Sequence, residues 1–94
     1  MVNIEHQENK PKGRFELRLD EEFVGEMTYS WAGDDYFIID HTLVLETYRG
    51  NSYAKQLVMA GVDYAREKNV KILPMCWYAK LVLDRDASTS DVRK

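Results

Sequence analysis

The stretch ETYRGNSYAKQL, residues 46–57, joins a segment with strand character to a segment with helix character. The residues before it are apolar on both sides, and after it apolar residues recur every three or four positions, which is the period of a helix. Gly50 lies between the two patterns, next to Arg49. The stretch therefore predicts a strand, a tight turn and a helix in that order.

Upstream of this turn the chain predicts three antiparallel strands, at 14–19, 23–31 and 35–45. The first two alternate apolar and polar residues with the period of two that a half-buried strand shows. The third is apolar on both faces except at Asp40 and His41, and such strands are usually central in their sheet. Polar groups inside such a strand are costly unless they are paired or reach a cleft, so we expect one of these outcomes here.

Downstream, the apolar stripe of residues 52–68 predicts a helix that Asn51 or Ser52 caps and that Asn69 ends. The remaining predicted elements are a short strand at 70–75 and a shorter helix at 76–86. Because a long crossover connects them, strands 35–45 and 70–75 are expected to be parallel neighbours.

The predicted fold class is therefore α+β, with three antiparallel strands followed by a helix, a parallel strand and a short helix. A chain of 94 residues has room for one core, so we expect a single domain over residues 1–94. The polar segments 1–13 and 87–94 are expected to be loose.

Composition limits the classes of function. The net charge of −3 gives no basic surface for nucleic acid and argues against binding to anionic lipid. No apolar run approaches the roughly 20 residues that cross a bilayer, and the polar start has no secretory pattern. The single cysteine, Cys76, can form neither an internal disulfide nor a metal cluster. We expect a cytoplasmic protein without a metal and without nucleic-acid or membrane partners.

The turn at residues 49–54 has features of a phosphate site. The start of a helix presents unpaired N–H groups, which together with the helix dipole favour an anion. Arg49 adds a forked cation, and Lys55 adds a second charge one turn into the helix. Most such turns only redirect the chain. Neither GxxxxGK[ST] nor GxGxxG is present, so nucleotide hydrolysis and dinucleotide binding find no support.

The run LVLETYRGNSYAKQLVMAGVDYARE, residues 43–67, resembles the acetyl-coenzyme A segment of the GNAT N-acetyltransferase superfamily. That family places an Arg/Gln-x-x-Gly-x-Gly/Ala turn between a strand and a helix. Arg49 and Ala54 match this pattern, while Ser52 stands where the family usually has glycine. The resemblance covers residues 23–85, and the runs IDHT, YRG, AKQLV and CWYAK are similar to a subfamily of very short bacterial members.

The resemblance implies a minimal GNAT fold that uses acetyl-CoA as cosubstrate and an unidentified amine as acceptor. The thioester would lie in a wedge between strands 35–45 and 70–75. The backbone residues implied for the pantetheine arm are Leu43, Val44 and Leu45. Those implied for the diphosphate are Arg49, Gly50, Asn51, Ser52, Tyr53 and Ala54.

Two residues are candidates for the chemistry of acetyl transfer. Histidine titrates near neutrality, so His41 is the best candidate base, although it is about equally well explained as a satisfied histidine of the sheet. Cys76 lies at the predicted start of the second helix, a setting that favours a thiolate able to carry the acetyl group. Lone cysteines are mostly small buried hydrophobes, however. In a regular strand Asp40 points away from the face of His41 and should not orient it. Lys80 either approaches a coenzyme phosphate or lies in water.

Two departures from the family pattern bear on function. Leu83 stands where the family's tyrosine acid is expected, and the segments that build the family's acceptor wall have no counterpart here. The sequence therefore predicts an acetyl-CoA-binding protein that acetylates a small amine or a protein lysine. The alternatives are a non-catalytic coenzyme A-binding module and an interaction domain. Aromatic residues left exposed by the missing wall would favour weak self-association or a protein acceptor.

Overall fold

The computed structural model describes all residues, 1–94, as one five-stranded sheet with two helices. The strands, in their order across the sheet, are β1 (Val2–Asn9), β2 (Lys12–Leu19), β3 (Glu22–Trp31), β4 (Tyr36–Val44) and β5 (Lys71–Pro74). The helices are α1 (Tyr53–Lys68) and α2 (Trp77–Arg85). Neighbours from β1 to β4 are antiparallel, and β5 is parallel to β4. The predicted α+β class and the parallel pairing of the last strand are confirmed.

The core lies between the sheet and α1. Successive residues of a strand point to opposite faces, and one face of β2, β3 and β4 places Leu17, Met27 and Ile39 in the core, where they are fully buried. Asn69 ends α1 in the left-handed conformation, as predicted. Neither helix is long and apolar enough to cross a bilayer. The buried residues of α1 are Leu57, Val58, Gly61, Val62 and Ala65.

The other face of the sheet carries charged and hydroxyl side chains and is called the polar face below. Glu16 is its buried member, with 4% of its surface exposed. Its carboxylate lies 3.1 Å from Arg14 and 3.1 Å from Arg18, which provide the partners that a buried charge requires. The polar face consists of Lys12, Arg14, Glu16, Arg18, Glu26, Thr28, Ser30, Asp40 and His41.

The prediction that residues 1–13 are loose is wrong, because Val2–Asn9 form β1 and pair along their whole length with β2. His6 and Glu8 point to the side of the core although both are polar. They are accommodated because His6 Nε2 and Glu8 Oε2 lie 2.5 and 2.6 Å from the buried hydroxyl of Tyr29. The apolar alternation that begins with Val2 and Ile4 therefore stops at His6, which leaves only a weak strand signal in the sequence.

The prediction that residues 87–94 are loose is also wrong. Val92 is buried, and the segment extends the outer edge of β5. The N–H of Ile72 donates to the carbonyl of Val92 at 2.6 Å, and the N–H of Lys94 donates to the carbonyl of Ile72 at 2.9 Å. One valine among small polar residues gave too weak a signal to predict this docking.

Candidate functional site

Strands β4 and β5 pair over a short distance and then separate. Their pairing ends with Ile39 opposite Pro74, which suits the end of a ladder because proline has no N–H to donate. The N–H groups of Met75 and Cys76 both donate to the carbonyl of Ile39, at 3.1 and 3.2 Å. Strand β4 continues to Val44 without a partner on this side. The predicted opening between the two strands is confirmed.

The backbone of β4 beyond the last pair faces this opening at alternate residues. The carbonyl of Val44 points into it and accepts a hydrogen bond from Arg49 Nε at 3.4 Å. The N–H of Leu45 instead donates to Val24 in β3 at 2.9 Å. Of Leu43, Val44 and Leu45, the sequence-predicted trio, Val44 therefore offers backbone groups to the opening, whereas the donor of Leu45 is already in use.

Six consecutive backbone N–H groups, at residues 50–55, donate to no acceptor in the protein. The next N–H, that of Gln56, makes the first bond of α1, to the carbonyl of Ser52 at 3.0 Å. A capping side chain usually satisfies part of such a row, but Ser52 makes no cap hydrogen bond. The side-chain amide of Asn51 donates back to the carbonyl of Tyr48 at 3.0 Å. The prediction that one of these two side chains caps the helix is therefore wrong, and the donors remain open.

The turn at residues 49–54, called the corner below, borders a hollow. A cavity of about 340 Å³ contains Arg49, Gly50, Ser52, Tyr53 and Ala54 in its lining, together with Val44, Tyr48 and Tyr78. A second cavity of about 410 Å³, called the cleft below, is lined by Thr42, Leu43, Val44, Arg49, Ala54, Trp77 and Tyr78. Because the two share four lining residues, one ligand can extend from the corner along the outer edge of β4.

The corner is electropositive. Arg49 forms no salt bridge, and its only side-chain bond is the one to the Val44 carbonyl, so most of its guanidinium remains available. The positive end of the α1 dipole adds to this charge. Unused N–H donors, a helix start and a free guanidinium together suit a doubly charged phosphate ligand.

His41 lies on the polar face and is oriented by Glu26. His41 Nε2 is 3.2 Å from Glu26 Oε2, and His41 Nδ1 is 3.2 Å from the hydroxyl of Thr28. An ionised carboxylate only accepts, so the neutral imidazole carries its proton on Nε2 and keeps Nδ1 as the basic nitrogen. Glu26 is itself held by Arg14 at 3.3 Å. Glu26 was not predicted as a site residue, although its place on the strand next to that of His41 was a usable signal.

Asp40 shares the polar face with His41, contrary to the prediction. The pairing of β3 and β4 shifts by one residue after Thr28, so that Asp40 is the extra residue of a bulge. Its carboxylate accepts a hydrogen bond from the hydroxyl of Ser30 at 2.7 Å. Asp40 makes no hydrogen bond to His41, so the expectation that it does not orient His41 holds. The reason is its bond to Ser30, and not a position on the opposite face of the sheet.

Cys76 lies on the core side of β4, where its sulfur is 3.7 Å from the Thr42 hydroxyl. Partial burial acts to raise the pKa of the Cys76 thiol. The N–H of Ala79, the Thr42 hydroxyl and the N–H of Tyr78 favour the thiolate and together bring the pKa below its usual value. Cys76 and His41 therefore flank β4 from opposite faces, and the structure does not bring them together.

Lys80 and Leu83, two further residues of α2, contribute no functional group to the corner or the cleft. Lys80 pairs with Asp84 at 2.9 Å and lines neither the corner nor the cleft. Leu83 is buried in the core, so its position supplies no proton donor. Tyr78, which was not predicted as a site residue, lines both the corner and the cleft. Its place two residues after Cys76 was the only available signal.

The chain resembles known proteins in sequence and in fold over most of its length. The family model described as GCN5-related N-acetyl-transferase matches residues 14–92. Protein NATD1 of Danio rerio is 32% identical over 78 residues, which cover 82% of this chain and 69% of that protein. The solution structure of a GCN5-like protein from Staphylococcus aureus is 35% identical, with a TM-score of 0.74 over 100% of this chain and 91% of that one. A GNAT family acetyltransferase from Elizabethkingia anophelis with acetyl-CoA bound shares the fold, with a TM-score of 0.66 and 15% identity over 80% of this chain and 52% of that chain.

Proposed function

This chain belongs to the GCN5-related N-acetyltransferase family, and from its geometry we propose that it binds acetyl-CoA at the corner and transfers the acetyl group to an amine. The observation that carries this proposal is the row of six unused N–H donors at residues 50–55, beside the open edge of β4. Such a row at a helix start, next to the free guanidinium of Arg49, favours a diphosphate.

The corner and the cleft suit successive parts of the coenzyme. With the diphosphate in the corner, the pantetheine arm runs along the outer edge of β4 and reaches the place where β5 diverges, after Ile39. Its amides can bond to backbone groups such as those of Val44, as an added strand would. The thioester then lies in the opening between the two strands, with His41 on one side of β4 and Cys76 on the other.

The acceptor amine approaches from the polar face. The amine must lose a proton as it attacks the thioester carbonyl, and Nδ1 of His41 is the unprotonated ring nitrogen that can take it. The Thr28 hydroxyl now bonded to Nδ1 either relays this proton or is displaced by the amine.

Transfer through Cys76 is the alternative route. The thiolate of Cys76 would attack the thioester carbonyl and release the coenzyme thiolate, which takes up a proton. The amine would then attack the new thioester, lose its proton and free the Cys76 thiolate. Mass spectrometry after incubation with acetyl-CoA distinguishes the routes, because only this one leaves an acetyl group on Cys76. Activity that survives Cys76→Ala excludes it.

A non-catalytic coenzyme A-binding module is the second candidate function. It is favoured by the burial of Leu83, since no proton donor stands at that position of α2 to protonate the departing thiolate. Product analysis with acetyl-CoA and a panel of primary amines separates the two candidates. Binding of acetyl-CoA without any acetylated product would favour the module.

Titration of ¹⁵N-labelled protein with acetyl-CoA tests the binding step that both candidates share. We expect the amide resonances of residues 43–54 to shift. Arg49→Ala should weaken binding about tenfold, the loss expected for one charged hydrogen-bonding partner. Its melting temperature should not change, because Arg49 is exposed. Lys68→Ala, at the other end of α1, is the matched control and should bind normally. Amides of residues 50–55 that do not move at saturating acetyl-CoA would overturn the proposal.

A further inference from the structure

The polar face contains a cavity of about 410 Å³, called the basin below, which shares no lining residue with the corner or the cleft. Its lining includes Gln7 and Asn9 of β1, which lie opposite Arg14 and Lys12 of β2. Paired residues of neighbouring strands share a face, so these four side chains all belong to the polar face. Asp40 borders the basin from β4. The basin therefore extends across the polar face from β1 to β4.

One end of the basin reaches the place proposed for the thioester. Asp40 is the first residue of β4 after its last pair with β5, and the bulge turns its side chain onto the polar face. The hydroxyl of Thr28, which also lines the basin, lies 3.2 Å from Nδ1 of His41. A ligand in the basin can therefore place one end beside the candidate base and beside the opening between β4 and β5.

Two opposite charges of the basin have no ion-pair partner. Lys12 and Asp40 form no salt bridge. Both instead bond to the hydroxyl of Ser30, which accepts from Lys12 Nζ at 2.8 Å and donates to Asp40 Oδ2 at 2.7 Å. The ammonium and the carboxylate are thus held a short distance apart. The other N–H groups of Lys12 and the second oxygen of Asp40 remain available to a ligand.

The remaining polar side chains of the basin do not neutralise these two charges. Arg14 lies 3.1 and 3.3 Å from two carboxylates of the polar face, and the carboxylate of Glu8 points to the core, where three donors hold it. The side chain of Asn9 makes no hydrogen bond, and Gln7 uses only its oxygen, so both amide NH₂ groups can donate. Because Asn9 lies opposite Lys12, this end of the basin suits a carboxylate.

We propose that the basin binds the acceptor and that the acceptor is a small amino acid, with its carboxylate at Lys12 and its amino group between Asp40 and His41. The inference rests on the proposed function and names its acceptor. The short separation of Lys12 and Asp40 matches an amine and a carboxylate that are a few bonds apart. A protein lysine carries no carboxylate within this reach of its amine. The volume of the basin lies in the range of about 300–1,000 Å³ that is typical of small-molecule sites.

The transfer step keeps its atoms in balance with this acceptor. The amine nitrogen forms a bond to the acetyl carbon while the bond from that carbon to sulfur breaks. The proton of the amine goes to His41, and the coenzyme leaves as its thiolate. The carboxylate at Lys12 takes no part in the bond changes and only holds the acceptor.

Rates of acetylation by the wild-type protein test the assignment. The acceptors are glycine, 3-aminopropanoate and 4-aminobutanoate, each compared with the amine that lacks only its carboxylate, namely methylamine, ethylamine and propylamine. We expect kcat/KM to be about tenfold higher for the best amino acid than for its matched amine, through a lower KM, as one charged hydrogen-bonding partner implies.

Variants locate the source of this preference. Lys12→Met removes the charge and keeps the length of the side chain, so the preference should disappear, whereas Lys12→Arg should retain most of it. Asp40→Ala should slow acetylation of both classes equally, because both have the amino group. Lys68→Met removes a lysine on the helix side of the sheet and should keep the full preference. Lys12 and Asp40 are exposed, so the melting temperatures should match that of the wild type.

A titration of the ¹⁵N-labelled free protein with the same compounds tests binding without catalysis. The amino acids, but not their matched amines, should shift the amide resonances of Asn9, Gly13 and Asp40, and Lys12→Met should remove these shifts. Such shifts without any acetylated product would uphold the amino-acid site and overturn acetyl transfer. Absence of both shifts and product would overturn the two together.

Three outcomes would overturn the inference and leave the proposed function standing. The first is equal acetylation of amino acids and matched amines, with no shifts in the basin. The second is an undiminished preference in Lys12→Met, which would show that the carboxylate binds elsewhere. The third is faster acetylation of a lysine-containing peptide than of every amino acid.

Discussion

The imidazole of His41 and the carboxylate of Glu26 are hydrogen-bonded across β3 and β4, with Nε2 and Oε2 3.2 Å apart. The carboxylate holds the proton of the neutral ring on Nε2. In Glu26→Ala we expect this constraint to be lost, and ring ¹⁵N spectra should show a mixture of the two tautomers. Thr28→Val removes the partner at Nδ1 and should leave the proton on Nε2. A single, unchanged tautomer in Glu26→Ala would show that Glu26 does not set the state of His41.

Gly13 leaves the space that the ring of Tyr29 occupies. A Cβ at Gly13 would lie 2.2 Å from Cζ of Tyr29. The ring has no room to move, because Tyr29 is fully buried and its hydroxyl is held by Glu8 and His6. Gly13→Ala should therefore reduce the free energy of unfolding by about 2 kcal/mol, as overpacking does. Urea denaturation measures this loss. Lys12→Ala, at the neighbouring exposed position, should stay within about 0.5 kcal/mol of wild type.

Glu8 connects β1 to the core, and this connection should depend on pH. Glu8 Oε2 accepts from the hydroxyls of Tyr29 and Tyr64, at 2.6 and 2.8 Å, and from the Trp31 indole at 2.8 Å. Desolvation raises the pKa of Glu8, but these three bonds outweigh it and hold the pKa below the ordinary value of 4.5. The folded state then binds the proton less tightly than the unfolded chain does. Stability from Glu8 is complete above the ordinary pKa and is lost as pH falls through the lowered value.

Glu8→Gln should accordingly lower the urea midpoint at neutral pH and flatten its fall in acid. His6 also makes the wild type less stable in acid. Burial lowers the pKa of His6 below its ordinary value of 6.5, so that protonation of the imidazole at low pH favours the unfolded chain. Glu5→Gln, on the exposed side of the same strand, should follow the wild-type curve. A parallel pH dependence in Glu8→Gln would mean that other carboxylates cause the acid loss.

Ser52 adopts a left-handed conformation, with φ 64° and ψ 17°, at the start of α1. This conformation costs an L-residue about 1–2 kcal/mol, whereas glycine accepts it and loses only about 0.5–1 kcal/mol of extra backbone entropy. Ser52→Gly should therefore stabilise the protein by about 0.5 kcal/mol or slightly more. Ser90 has ordinary right-handed angles, so Ser90→Gly should destabilise it. Equal effects of the two substitutions on the urea midpoint would argue against strain at Ser52.

The elements around the corner follow from the sequence because their patterns are strong and local. Strands β2 and β3 and helix α1 each show one periodic apolar face in the sequence, and the turn at residues 49–54 lies where the resemblance to the family places it. The crossover through α1 leaves little choice but a parallel β5. Periodicity could not find β1, because its inward residues His6 and Glu8 are polar and are satisfied only by Tyr29 in the folded state.

The side chains of the candidate site were harder to predict, since their partners come from other elements. The bulge that turns Asp40 onto the polar face belongs to the register between β3 and β4 and has no mark in either strand alone. Glu26 becomes a partner of His41 only through that register. Tyr78 lines the site only because α2 packs against α1, and an amphipathic pattern does not specify this packing.

The open donors of the corner belong to peptide groups, and every residue type except proline has the same N–H to offer. An inhibitor that binds these atoms would be difficult to evade by single substitutions, because replacing a side chain at residues 50–55 leaves the donors in place. Resistance would instead require a change in the path of the chain, and such a change would remove the proposed coenzyme site as well.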